Sequence, residues 1–228
     1  MAVKVVRSRP PALGPRFTVL VFDGPPACGK TTLVRLLKRR YDARAYRYTR
    51  LRLVNILFAV LAKISPNLLC SKVRRDNVDP VMLVNSYYLE KVSWLIFVLE
   101  VVYKYLRYSS LLSLALCGSL LVVDEGFSLG WANYLNLMLH RKALKPGHVD
   151  LLMRLDLQFL KLLTKVRRVY IYFIDRSLEK LSTFWRNRGH RVHYDTTYAL
   201  LVRYSFRILE EACRRFMIAV RIKRVYVP

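Results

Sequence analysis

The chain has 228 residues, a mass of 26.8 kDa and 40 Lys+Arg against 15 Asp+Glu, for a formal net charge of +25. With 54% hydrophobic residues and only 8 Gly and 9 Pro, it can bury a full core, which excludes disordered, collagen-like and low-complexity readings. The positive charge favours anionic partners (nucleotides, nucleic acid or acidic lipid) without choosing among them.

Cys28, Cys70, Cys117 and Cys213 are scattered with no C-x-x-C pair, so neither a zinc site nor a disulfide framework is expected. A reducing, cytoplasmic location follows as the default. Residues 1–16 are basic, contain Pro10, Pro11 and Pro15, and lack the apolar centre of a signal peptide. They read as a flexible basic leader to a single domain over residues 17–228. The longest uncharged stretch, Ser109 to Val123, is shorter than the roughly 20 residues a bilayer needs, so no transmembrane segment is expected.

Phe17 to Asp23 is a short apolar run bounded by Gly24-Pro25-Pro26 and predicts a buried strand. Lys30 to about Tyr41 sets Leu33, Leu36 and Leu37 against Arg and Lys and predicts an amphipathic helix. Ala43 to Thr49 alternates weakly as a second strand, and Leu51 to Lys63 reads as a helix ended by Pro66. Its apolar run, Leu53 to Leu61 between arginines, suits a core-packed helix better than a membrane-surface one. A long helix is expected from about Pro80 to Tyr108, apolar on most sides and so packed between other elements. Cys117 to Asp124 is a third strand. Helices follow at about 131–141 and 149–164, divided by Lys145-Pro146-Gly147. Val169 to Asp175 is a fourth strand, helices cover 178–188 and 196–216, and residues 222–228 close the chain as a last strand. Short buried strands alternating with helices predict an α/β fold, a three-layer αβα sandwich with a mainly parallel sheet.

Gly24-Pro25-Pro26-Ala27-Cys28-Gly29-Lys30-Thr31 matches G-x-x-x-x-G-K-[ST] between a predicted strand and a predicted helix, the context that this phosphate-binding pattern demands. Gly24 and Gly29 let the backbone turn and bring N–H groups close to phosphate oxygens. The helix start, with Lys30, Thr31 and Thr32, adds partial positive charge. Lys30 would reach the β- and γ-phosphates, and the Thr31 hydroxyl would ligate Mg²⁺. A thiol near a helix N-terminus can be acidified, but an inert small loop residue is the simpler reading of Cys28.

Two further clusters carry chemistry. Leu120 to Asp124 is an apolar strand ending in an acid, the place from which a carboxylate holds Mg²⁺ beside a phosphate loop; Asp124 is the candidate, with Glu125 at the ligand-binding end of the strand. Arg176, Arg186, Arg188 and Arg191, with Lys180 and His190 among them, follow the fourth strand directly. Such arginines stabilise the charge that gathers on a transferred phosphoryl group, so residues 176–195 read as a lid with Arg186 and Arg188 as catalytic candidates.

With these pieces in place, the chain resembles the thymidylate kinase and deoxynucleoside kinase group of phosphate-loop kinases. FDGPPACGKTTL is similar to that group's opening strand and loop. YIYFIDRSLEKLSTFWRNRGHR looks like its fourth strand and arginine-bearing lid, and VYVP like its last strand. The resemblance implies a five-stranded parallel sheet of order 2-3-1-4-5, ATP as donor, Mg²⁺ as cofactor, and a homodimer through the long helices. The chain departs from the group where an acid usually follows the second strand: Arg47-Tyr48-Thr49-Arg50-Leu51-Arg52 contains none. Arg47, Arg50 and Arg52 suit a phosphorylated acceptor, whereas Asp124 or Glu125 could serve a hydroxyl. Tyr87, Tyr88 and Trp94 could stack on a base, although aromatics at helical spacing are more often core.

The expected function is ATP-dependent phosphoryl transfer to a nucleoside or nucleoside monophosphate. The alternative is a phosphate-loop ATPase or kinase acting on, or regulated by, nucleic acid.

Overall fold

The computed structural model describes residues 18–41, 43–47, 51–65, 81, 84–117, 120–187 and 196–227. Five strands, β1 (Thr18–Asp23), β2 (Arg44–Arg47), β3 (Leu121–Asp124), β4 (Arg168–Asp175) and β5 (Val220–Tyr226), form one sheet of order β2-β3-β1-β4-β5. Every neighbouring pair is parallel. Parallel pairing requires a crossover between strands, and helices supply it. They are α1 (Lys30–Tyr41), α2 (Arg52–Ile64), α3 (Ser86–Lys91), α4 (Ser93–Leu116), α5 (Phe127–Leu139), α6 (Pro146–Val166), α7 (Leu178–Asn187) and α8 (Thr196–Arg215).

The central strands are apolar on both faces, as a doubly covered sheet demands, and β1 and β3 are buried throughout. Val19, Val21, Leu121 and Val123 face the larger core, filled by α2, α4, α5, α6 and α8. Leu20, Phe22 and Val122 face a smaller one with Val34 of α1 and Leu181 and Trp185 of α7. In α2, Val54 and Phe58 are buried while Ile56 and Val60 stay at the surface, so this helix packs on the core by one face.

Register decides what meets at the carboxyl ends of the strands. Phe22 pairs with Asp124, Arg47 pairs with Asp124 from the other side, and Asp23 pairs with Phe173. The loop after β1 therefore opens beside the end of β3.

The long helix differs from its sequence expectation of 80–108. A helix break falls at Val92, and α4 runs on to Leu116, through residues 109–116, which the sequence pattern assigns to no element. The third strand starts at Leu121 rather than 117, since the apolar run supplies both the final turns of a helix and a strand. Arg167 donates to the Ala115 and Leu116 carbonyls and so caps the end of α4. Helix α5 starts at Phe127, four residues earlier than read, directly off β3.

The expectation that the long helix is mainly apolar also changes. Glu100, Lys104 and Arg107 of α4 are fully buried. Lys104 Nζ donates to Asp156 Oδ2 of α6 at 2.6 Å, and Trp131 Nε1 donates to the same oxygen at 2.9 Å. The Tyr108 hydroxyl donates to Asp156 Oδ1, and the Tyr134 hydroxyl to Glu100 Oε1 at 2.5 Å. Burial, with Asp156 beside Tyr108 and Glu100 beside Tyr134, pushes both phenols well above their ordinary pKa and keeps them as neutral donors.

Removing one member of a buried ion pair leaves the other charged and uncompensated. Asp156→Leu is expected to cost about 3–5 kcal/mol in urea denaturation, and adding Lys104→Met should recover the part due to the unpaired charge, while the lost acceptor of Trp131 and Tyr108 remains unrestored.

Candidate phosphate-binding site

The segment between β1 and α1 owes its shape to backbone conformations that few residues adopt. Gly24 has φ of 128° and Gly29 of 104°, and Ala27 stands at 65°. A Cβ on Gly24 would lie 2.1 Å from the Ile174 carbonyl oxygen, so no side chain fits there. The first turn of α1 carries no acid, and the amides at a helix start of this kind suit an anion.

Asp23 locks this loop to its neighbour. Its carboxylate is wholly buried. Oδ1 accepts the Gly24 N–H at 2.9 Å, and Oδ2 accepts the Ser128 N–H in the first turn of α5 at 2.7 Å. A Cβ on Gly126 would fall 2.5 Å from that carboxylate, so glycine is what allows the corner after β3 to close on Asp23. Glu125, between Asp124 and this glycine, is held at a positive φ of 69°.

Lys30 is 5% exposed and lies back across its own loop. Its Nζ donates to the carbonyls of Gly24 at 2.8 Å and Pro25 at 2.7 Å, with Cys28 Sγ at 3.6 Å. Thr31 Oγ1 donates to Asp124 Oδ2 at 3.0 Å. Asp124 Oδ1 is buried and makes no hydrogen bond among the described residues. A hydroxyl and a carboxylate in contact, with one carboxylate oxygen unsatisfied, are hard oxygen donors of the kind Mg²⁺ takes, and these residues fit that ion. Burial pushes the Cys28 thiol up, and the nearby Lys30 only partly opposes this, so the thiol is not an acidified one.

On the far side of the loop, Trp185 of α7 is buried and its Nε1 donates to the Pro26 carbonyl at 3.0 Å. This fastens the last turn of α7, which bears exposed Arg186, to the phosphate loop. Arg203 of α8 places Nε and Nη2 at 3.2 and 3.0 Å from Asp175 Oδ1 and reaches the Arg176 carbonyl at 2.7 Å, bracing the turn between β4 and α7. Arg176 lies over the Phe184 ring at 5.0 Å.

Neither a protein-family model nor any curated protein matches the sequence. Solved structures do match. The deoxyadenosine kinase of M. mycoides with bound dCTP aligns with a TM-score of 0.51 at 11% identity, over 91% of this chain and 89% of that one. The same kinase with dCMP and dCDP aligns at 0.50 and 9% identity, over 91% and 89%. The thymidylate kinase of Candida albicans aligns at 0.49 and 13% identity, over 92% and 84%. The chain has the phosphate-loop kinase fold.

Within this kinase fold, the sequence-predicted residues divide into three groups. Gly24, Pro25, Pro26, Ala27, Cys28 and Gly29 form the loop and Lys30, Thr31 and Thr32 the first turn of α1, with Asp124 in contact and Glu125 next to it. Arg47 stands at the end of β2 in register with Asp124, and Arg186 at the end of α7. Arg50, Arg188, His190 and Arg191 lie outside the described residues. Tyr87, Tyr88 and Trp94 are not core. They are 59%, 39% and 66% exposed, and Trp94 packs against Phe97 and His148. Sequence reading missed Asp23, Trp185, Arg203 and the charged cluster of α4. Asp23 repeats the apolar-run-then-acid signal that singled out Asp124, and could have been found by it.

Two outcomes check this geometry. Iodoacetamide at pH 8 should alkylate exposed Cys117 in the folded protein and spare buried Cys28 and Cys213, the latter pushed up to about 12 by burial; peptide mapping reads the result. Gly126→Ala should destabilise the protein by about 1–3 kcal/mol in thermal melts, since its Cβ must displace the Asp23 carboxylate.

Proposed function

We propose that the protein is a phosphotransferase that moves the γ-phosphoryl group of ATP to a nucleoside or nucleoside monophosphate. The observation that carries this reading is the Thr31–Asp124 contact beside a glycine-turned loop, with one Asp124 oxygen unsatisfied. Residues 17–228 act as one kinase domain behind the basic leader 1–16, with 176–195 as its lid. The acceptor oxygen attacks the γ-phosphorus, the bond from that phosphorus to the β–γ bridging oxygen breaks, and ADP leaves with the electron pair.

Gly24 to Thr32 cradle the phosphates through backbone amides, and Lys30 leaves its loop carbonyls to pair with phosphate charge. Thr31 and Asp124 would hold Mg²⁺, which neutralises phosphate charge when bound. Arg186 and Arg188 balance the charge gathering on the transferred group. On the acceptor side, Arg47 and Arg50 pair with a monophosphate, and Glu125 accepts the proton when the acceptor is a hydroxyl.

The +25 charge favours a second reading, a phosphate-loop ATPase acting on or regulated by nucleic acid. ATP turnover with Mg²⁺ over nucleosides, nucleoside monophosphates and 5′-hydroxyl oligonucleotides separates the two. Transfer to one small acceptor, lowered at least about 100-fold by Lys30→Ala, is the expected result. Hydrolysis without transfer, changed by added oligonucleotide, would put the second reading in its place.

A further inference from the structure

A basic concavity lies at the opposite end of the sheet from the phosphate loop. Its volume is about 420 Å³, and it is formed where α6 runs into β4 and where the chain enters β5. It holds four cations, Lys165, Arg167, Arg168 and Arg221, and no acid. Arg167 is committed to the end of α4. Lys165, Arg168 and Arg221 remain exposed. The eight residues of β4 span about 23 Å, so this cluster and the phosphate loop are separate sites.

Register sets the cations in a row. Arg221 stands opposite Tyr170 and Lys223 opposite Tyr172, on the sheet face that also carries Arg168. Along β5 the two basic side chains are about 6.6 Å apart. The Arg221 guanidinium lies 5.6 Å over the Tyr170 ring and donates to its hydroxyl at 3.4 Å, which orders it before any ligand arrives.

The geometry points to a binding site for the phosphodiester backbone of a single-stranded nucleic acid, held by Lys165, Arg168, Arg221 and Lys223. Charge complementarity selects an anion, and a single phosphate would engage only part of the row. A bilayer presents a flat surface that meets the rim of a recess rather than its floor. A single strand is narrow and flexible enough to follow the recess and pass its phosphates along the row. This site is independent of the proposed transfer chemistry, so either assignment can fail while the other stands.

Fluorescence anisotropy of labelled oligo-dT and oligo-U over a salt series tests it, on the full chain. The variant Lys165→Gln/Arg168→Gln/Arg221→Gln should make the slope of log K against log salt shallower by about 2 and weaken binding roughly 100-fold at 0.1 M salt. The control Lys63→Gln/Lys91→Gln/Lys142→Gln removes the same charge from other exposed positions and should change binding far less. Equal losses in the two variants would mean that net charge alone attracts the strand, and would overturn the assignment. So would vesicles rich in phosphatidylserine binding in a way that depends on the three residues while oligonucleotides do not. The triple variant should keep the circular dichroism spectrum and melting temperature of the native protein, which shows that the variant is folded.

Discussion

One buried carboxylate, Asp23, holds the two halves of the candidate site in a fixed relation. It spends one oxygen on the first amide of the phosphate loop and the other on the first turn of α5. A buried anion is tolerated when backbone amides satisfy it, and the parallel register of β1 and β3 brings both amides within reach. Gly126 lacks the side chain that would block the approach, and Gly24 lacks one that would meet the Ile174 carbonyl. Thr31 and Asp124 meet across the same junction. Their contact therefore depends on a brace that neither residue provides.

The rest of the molecule divides its work between two layers. The smaller layer, α1 and α7, supplies the loop's helix and the Trp185 anchor, elements that touch the phosphate loop directly. The larger layer carries most of the core and buries a balanced set of charges, Glu100 and Asp156 with Lys104 and Arg107. A buried network of that kind is costly to form and costly to break. It fixes how α4, α5 and α6 pack behind β1 and β3, the strands whose ends define the site.

The strands, the glycine loop and the acid at the end of β3 were legible because each leaves a local mark: an apolar run, a glycine pair, an acid at a strand end; the strand order came only from the resemblance to a known family. The division of residues 86–116 into two helices was not, since the break at Val92 has no proline or glycine to announce it. The inward-facing Lys104 and Arg107 were hidden for a different reason. A charge on an apolar helix looks like a solvated face until its partner is known, and Asp156 lies 52 positions away. Trp185 and Pro26 are further apart still, and nothing local to either marks the hydrogen bond between them.

The brace gives the account its sharpest exposure, because Asp23 touches neither Lys30, Thr31 nor Asp124 through any hydrogen bond described above. Titration calorimetry of MgATP into native protein and Asp23→Asn, both checked for folding by circular dichroism, measures what the brace contributes. The amide keeps the shape and one acceptor but loses the charge and one amide contact, so the account predicts MgATP affinity lowered about tenfold or more. Unchanged affinity in a folded Asp23→Asn protein would mean that the loop holds its shape without the brace, and would contradict the account.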